Sequence, residues 1–129
     1  MSRTVEELLS EARAALDRVS AQRAHDELAD HALLIDTRTS EQRIEHGDIP
    51  GAIPIGLNVL EWRLDPASEW RIPEATDHEV RVILVCQQGY SSSLAAARLQ
   101  SLGLHRATDV IGGFEAWRDA GLPIERPER

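Results

Sequence analysis

An open, mostly parallel, five-stranded α/β sheet with helices on both faces is the fold this sequence predicts. Short apolar runs rich in β-branched residues alternate with segments whose apolar residues recur at helical spacing. The clearest run, Val80-Arg81-Val82-Ile83-Leu84-Val85, is nearly all apolar, as a strand covered on both faces must be. Polar residues or glycines stand where such runs end, at Asp36, Cys86 and Gly112, and in open α/β sheets the carboxyl ends of strands are where sites form. The 129 residues hold no internal repeat or low-complexity linker, so residues 1–129 are read as one domain.

The elements follow in order. Thr4 with Glu7 is a capping box, and Leu8, Leu9, Ala12, Ala15, Leu16 and Val19 follow at helical spacing, so an N-terminal helix is expected over residues 1–18, starting at Thr4. Around Val19 the chain turns briefly extended, and Ser20 caps a second helix through Leu28 and Ala29. His31 to Asp36 reads as a buried strand. Ser40 to His46 reads as a short helix stopped by Gly47. Asp48 to Ile55, with prolines at 50 and 54, is a turn leading into a short strand. Residues 58–76 form a long connection with one helical turn. Residues 91–102 are the clearest helix, with Gly103 as its stop. Residues 107–111 are a strand, Gly112-Gly113 a turn, and residues 114–120 a last helix stopped by Gly121 and Pro123. Residues 125–129 read as a loose, charged tail.

Composition excludes several functions. The formal net charge of −8 argues against non-specific nucleic-acid binding and against an anionic membrane surface. It also means that a small anionic substrate needs a local positive site. With one cysteine the chain forms no internal disulfide and no Cys-rich zinc site, and the five histidines, His25, His31, His46, His78 and His105, show no metal-ligand spacing. No metal site is expected. The N-terminus carries charges every few residues and no apolar core of a leader, so a cytoplasmic protein is expected.

The cysteine lies in VCQQGYSSSLAAAR, between the strongest strand and the clearest helix. A short loop with a glycine can aim successive backbone N–H groups at one point, and the helix N-terminus adds positive potential there. Both favour the thiolate, the reactive form. A buried, inert thiol at a strand end is the competing reading, because free cysteine is commonly buried. Spacing by itself does not choose between them.

Three blocks resemble the rhodanese-like sulfurtransferase domain. They are LLIDTRTSEQRIEHGDIPGAIPI (33–55), VILVCQQGYSSSLAAARLQSLG (82–103) and VIGGFEAWRDAGLPI (110–124), in the family's order. The resemblance implies an α/β fold of that type and a mechanism. Cys86 attacks the outer sulfur of a donor such as thiosulfate, holds it as a persulfide, and passes it to a thiophilic acceptor such as cyanide or a thiol. Loop N–H groups stabilise the anionic persulfide, so the resemblance implies no metal or organic cofactor. The partners implied are a small anionic sulfur donor and a thiol or cyanide acceptor, with a persulfidated protein as a further candidate; no nucleic acid and no membrane.

The chain departs from the family at defined positions. Many members carry loop arginines in a Cys-Arg-x-Gly-x-Arg-Ser pattern; Gln87 and Ser91 stand there, while Gly89 and Ser92 match. Two bidentate anion donors are thereby lost, leaving Gln87, Gln88, Ser91 and Ser92 as neutral donors to a substrate. Tyr90, at the loop tip, lines the mouth or is simply exposed. Asp48 replaces the family's histidine, and His46 comes one place early, ahead of Gly47 instead of after it. Arg38 matches the family's Asp-x-Arg and is read as a salt bridge with Asp36, Glu41 or Asp48 that borders the pocket. Arg63, in a segment that could fold over the cysteine, is the candidate replacement for the lost arginines, against the alternative of a surface arginine. Phe114 and Trp117 are read as core. The site expected is therefore Cys86 as nucleophile with Gln87, Gln88, Gly89, Tyr90, Ser91, Ser92, Arg63 and Arg38 around the substrate.

Other functions stay open beside it. A Cys-based phosphatase or arsenate reductase needs an arginine near the place where Ser92 stands. A non-catalytic module that uses the fold to bind a protein partner is the other alternative.

Overall fold

In the computed structural model, which describes residues 2–126, helix α1 (Val5–Ala14) begins at the expected capping box: Thr4 Oγ1 accepts from the Glu7 N–H, and the Glu7 carboxylate accepts from the Thr4 N–H. It ends at Ala14 rather than reaching Arg18, with Ala15 as its C-cap. The reason lies at the sheet edge. Val19 donates its N–H to Asp109 O and accepts from the Ile111 N–H, and Ser20 then caps α2 (Ala21–Ala29), so the backbone before Val19 must leave the helix to reach both.

Next come β1 (Leu33–Asp36), α3 (Ser40–His46) and β2 (Ile53–Pro54), followed by a 3₁₀ turn (Leu57–Val59) that runs into α4 (Leu60–Leu64). The last elements are β3 (Val82–Val85), α5 (Ser91–Ser101), β4 (Thr108–Asp109) and α6 (Gly113–Asp119). Gly47 closes α3 at φ +101°, a backbone angle that only glycine adopts freely.

The sheet has four strands in the order β2-β1-β3-β4, all parallel, rather than the five expected. The fifth is reduced to one residue, Val19, which bridges Val110 in parallel. A single residue held between the end of α1 and the cap of α2 leaves no length for a ladder. The chain after α6 also differs from expectation. Glu125 pairs with Asp48 through two backbone hydrogen bonds of 2.7 and 2.8 Å, so the tail is tied down at its start; residues 127–129 lie outside the described residues.

Strand β3 is buried along its whole length because helices cover both faces. Val82 and Leu84 join the cluster built on Leu60, Leu64, Ala96 and Leu99, from α4 and α5. Ile83 and Val85 point the other way, toward Ala24, Phe114 and Trp117 from α2 and α6. Phe114 and Trp117 are core, as expected, with the Trp117 indole N–H donating to Pro123 O at 2.8 Å. No helix among the described residues is long and apolar enough to cross a membrane.

The register sets Asp36 opposite Val85 and Leu84 opposite Asp109, which brings Asp36, Cys86 and Asp109 to one end of the sheet. Asp36 and Arg38 are both buried there, joined by Nε–Oδ1 and Nη2–Oδ2 contacts of 3.0 and 2.8 Å. Removing one partner of such a pair strands the other charge. Arg38→Ala should therefore lower the unfolding free energy by about 3–5 kcal/mol in urea titration.

Candidate functional site

Cys86 leaves β3 with its side chain buried at 7 % exposure. The backbone then turns through Gln87 to Tyr90 and enters α5 at Ser91. Gly89 makes that turn at φ +86°, and a Cβ there would stand 2.8 Å from the Gly112 nitrogen. Gly112 and Gly113, both at positive φ, let α6 begin directly against the loop. The Phe114 N–H donates to Cys86 O at 2.8 Å, and the Glu115 N–H to Gln87 O at 3.2 Å. With these carbonyls turned outward, N–H groups turn in, and the Gly89 N–H lies 3.2 Å from Sγ.

A chain of polar contacts runs inward from the sulfur. Cys86 Sγ lies 3.2 Å from Ser92 Oγ, which donates to Asp109 Oδ2 at 2.7 Å; Ser93 Oγ donates to the same oxygen at 2.8 Å. Asp109 is fully buried, and Arg18 grips it with both Nε and Nη2. Behind the loop, Arg13 Nη2 and Arg18 Nη2 both donate to Gly89 O, at 2.7 and 3.0 Å. Burial pushes the Cys86 thiol up. Hydrogen bonds from the Ser92 side chain and backbone, the Ser91 hydroxyl and the Gly89 N–H outweigh it and hold the thiol below its ordinary value of 9.0.

The sulfur opens onto a cavity of about 290 Å³, walled by the loop residues Cys86, Gln87, Gln88, Tyr90 and Ser91 and, opposite them, by Arg38 and Leu57. A neighbouring cavity of about 460 Å³ shares Arg38 and Leu57 and continues along Arg43 and Asn58. Tyr90 is exposed and forms part of the cavity wall.

The expected residues divide as follows. Gln87, Gln88, Tyr90, Ser91 and Arg38 surround the cavity, whereas Gly89 and Ser92 touch the sulfur from within the loop. Arg38 is the buried salt bridge expected, bound to Asp36 and to Gly47 O, with its guanidinium 3.9 Å above the Phe114 ring. Its Nη1 still reaches Gln87 Oε1, at 3.4 Å. Arg63 does not join them. It donates to Trp70 O at 2.7 Å, tying α4 to its own downstream connection, and lies outside the cavity wall. Sequence reasoning missed Arg13, Arg18, Ser93 and Asp109. Only Asp109 carried a signal, as a carboxylate inside an apolar strand.

The comparisons agree with this geometry. The profile of the rhodanese-like domain matches residues 20–120. The thiosulfate sulfurtransferase GlpE of Actinobacillus succinogenes is 33% identical over 112 residues, 86% of this chain and 92% of that protein. A sulfurtransferase of Allochromatium vinosum is 34% identical over 96 residues, covering 74% of this chain and 80% of its own length. A solved structure from Rhodopseudomonas palustris, described as a protein of unknown function and possible tyrosine phosphatase, superposes with a TM-score of 0.87 at 31% identity, over 97% of this chain and 96% of that one. This α/β protein, with one cysteine in a backbone nest at the end of its central strand, belongs to the rhodanese-like domain family.

The thiol's position predicts its titration. Alkylation of Cys86 by iodoacetamide should reach half its maximal rate below pH 9.0, and Ser92→Ala should move that midpoint upward. Because the folded thiol ionises more readily than the unfolded one, its contribution to stability is full above the unfolded value and is lost as pH falls through the folded midpoint.

Proposed function

We propose that the protein, acting as one domain, is a sulfurtransferase that moves a sulfane sulfur from a small anionic donor such as thiosulfate to a thiol or cyanide. The observation that carries this is Cys86 in its nest of donors at the mouth of an open cavity. The sulfurtransferases among its relatives support the same chemistry.

In the first half-reaction the Cys86 thiolate attacks the outer sulfur of the donor. A Cys86–S bond forms and the donor's S–S bond breaks, with sulfite leaving when thiosulfate is the donor. The persulfide keeps the negative charge on its outer sulfur. The Gly89 N–H and the hydroxyls of Ser91 and Ser92 stabilise the charge on Sγ, in the thiolate that attacks and in the one released at the end, while the outer sulfur lies toward the cavity wall. In the second half-reaction the acceptor attacks that outer sulfur and Cys86 leaves as thiolate. Gln87, Gln88 and Tyr90 act as substrate contacts from the cavity wall, and Arg38 contributes positive potential while its main grip stays on Asp36. Arg63 has no part in this and is not proposed as a donor ligand.

A phosphatase reading is suggested by the description of the Rhodopseudomonas palustris protein. Transfer of a phosphoryl group calls for an arginine across its equatorial oxygens. In the place where a Cys-based phosphatase loop carries it stands Ser92, fully buried and turned to Sγ and Asp109. Sulfur transfer needs no such residue and fits the loop better.

Intact mass after incubation with excess thiosulfate tests the proposal. Wild type should gain one sulfur atom, released by cyanide as thiocyanate, and Cys86→Ser should gain none. Folded wild-type protein that takes sulfur neither from thiosulfate nor from persulfidated proteins would end it. Arg63→Ala should load sulfur as wild type does.

A further inference from the structure

The family profile begins at residue 20, yet two side chains ahead of it reach the cysteine loop. Arg13, from the last turn of α1, donates to Gly89 O and, through Nε, to Ser93 Oγ at 3.1 Å. Its guanidinium also lies 5.5 Å from the centre of the Tyr90 ring. Arg18 donates to the same Gly89 oxygen while gripping both oxygens of Asp109.

Each contact bears on the sulfur through one intermediary. The Gly89 N–H on Sγ belongs to the Gln88–Gly89 peptide, and its direction depends on how the peptides on either side of it are held. The start of α6 holds the carbonyls of Cys86 and Gln87, and the two arginines hold that of Gly89. Turning the Gly89–Tyr90 peptide over would break two charge-assisted hydrogen bonds at once. Asp109 acts on Ser92. In the thiol state the S–H donates to Ser92 Oγ and the Ser92 hydroxyl donates to Asp109. When the thiol proton leaves to water, the sulfur becomes an acceptor and the Ser92 hydroxyl can turn to it. Asp109 tolerates that loss because Arg18 and Ser93 still donate to it.

We propose that Arg13 and Arg18 are positioning residues for sulfur transfer, clamping the Gly89 carbonyl and the Asp109–Ser92 pair from behind the loop and so supplying, from the N-terminal segment, the cationic support that Gln87 and Ser91 cannot give. Both point their donors at the protein and not into the cavity, so they act on the sulfur rather than on the donor's anionic end. The other charged groups about the loop are Glu115, which accepts from Gln87, and the Arg38–Asp36 pair. Arg13 has no carboxylate partner among the described residues, so its charge is not cancelled locally as that of Arg18 is by Asp109.

The inference rests on the sulfurtransferase reading, and its test separates the two. Arg13→Gln, Arg13→Lys and Arg18→Lys, made in the full chain, are compared with wild type in thermal melting, in iodoacetamide alkylation of Cys86 against pH, and in persulfide formation from thiosulfate. Arg13→Gln should melt cooperatively, with its alkylation midpoint raised and its rate at pH 6 lowered roughly three- to tenfold. Its kcat should fall with KM for thiosulfate unchanged. Arg18→Lys, which keeps a charge on Asp109 but loses the fork to Gly89, should show the same direction. A wild-type alkylation profile in a folded Arg13→Gln protein would overturn the clamp. Should that variant not fold, Arg13→Lys decides, since it keeps the stem and the charge but cannot reach Gly89 O and Ser93 Oγ together: slower alkylation supports the clamp and a wild-type profile overturns it. Alkylation needs no sulfur donor, so raised midpoints in a protein that takes no sulfur would leave the clamp standing and remove the sulfurtransferase reading.

Discussion

A loop that points its N–H groups at one sulfur must turn its carbonyls somewhere else, and buried carbonyls need donors. This constraint organises the functional end of the protein. The carbonyls of Cys86 and Gln87 are taken by the first turn of α6, which can come that close only because Gly89, Gly112 and Gly113 face one another. The carbonyl of Gly89 is taken by Arg13 and Arg18. The order of the parallel sheet serves the same need. It sets β3 beside β4, so that Cys86 and Asp109 end next to each other and α6 starts under the loop.

The balance at the sulfur is one of burial against hydrogen bonds. A shift of one pKa unit is worth about 1.4 kcal/mol. A neutral hydrogen bond contributes about 1 kcal/mol. No single donor therefore offsets the burial of an anion; several acting together do, and the Gly89 N–H with the Ser91 and Ser92 donors is such a set. The chain's net charge of −8 opposes an anion overall, so local arrangement has to prevail. It does so with hydrogen-bond donors at the sulfur, while the nearby guanidiniums of Arg38 and Arg18 are matched by the carboxylates of Asp36 and Asp109. Donors within the loop support the thiolate, and the cavity beside it is walled by amides and hydroxyls together with Arg38.

The alternation of strands and helices, the caps at Thr4 and Ser20, the stop at Gly47 and the placing of Cys86 between β3 and α5 were determined by the sequence alone. Each depends on spacing within a few residues, where periodicity, side-chain caps and glycine's freedom act. Arg38 was legible too, because its partner Asp36 is two residues away. The tertiary structure decided the rest. It shortened the fifth strand to Val19, whose bridge to Val110 depends on where two helices end and begin. It assigned Arg63 to Trp70 O, although the sequence placed that arginine in a segment able to cover the site. It set Arg13 and Arg18 against Gly89 and Asp109 across 76 and 91 positions of chain. No local pattern marks such a contact, because a guanidinium in a charged segment looks like any solvated charge until packing gives it a carbonyl to hold. What this protein is built from could be read residue by residue; which cations stand behind its sulfur was decided by packing between distant segments.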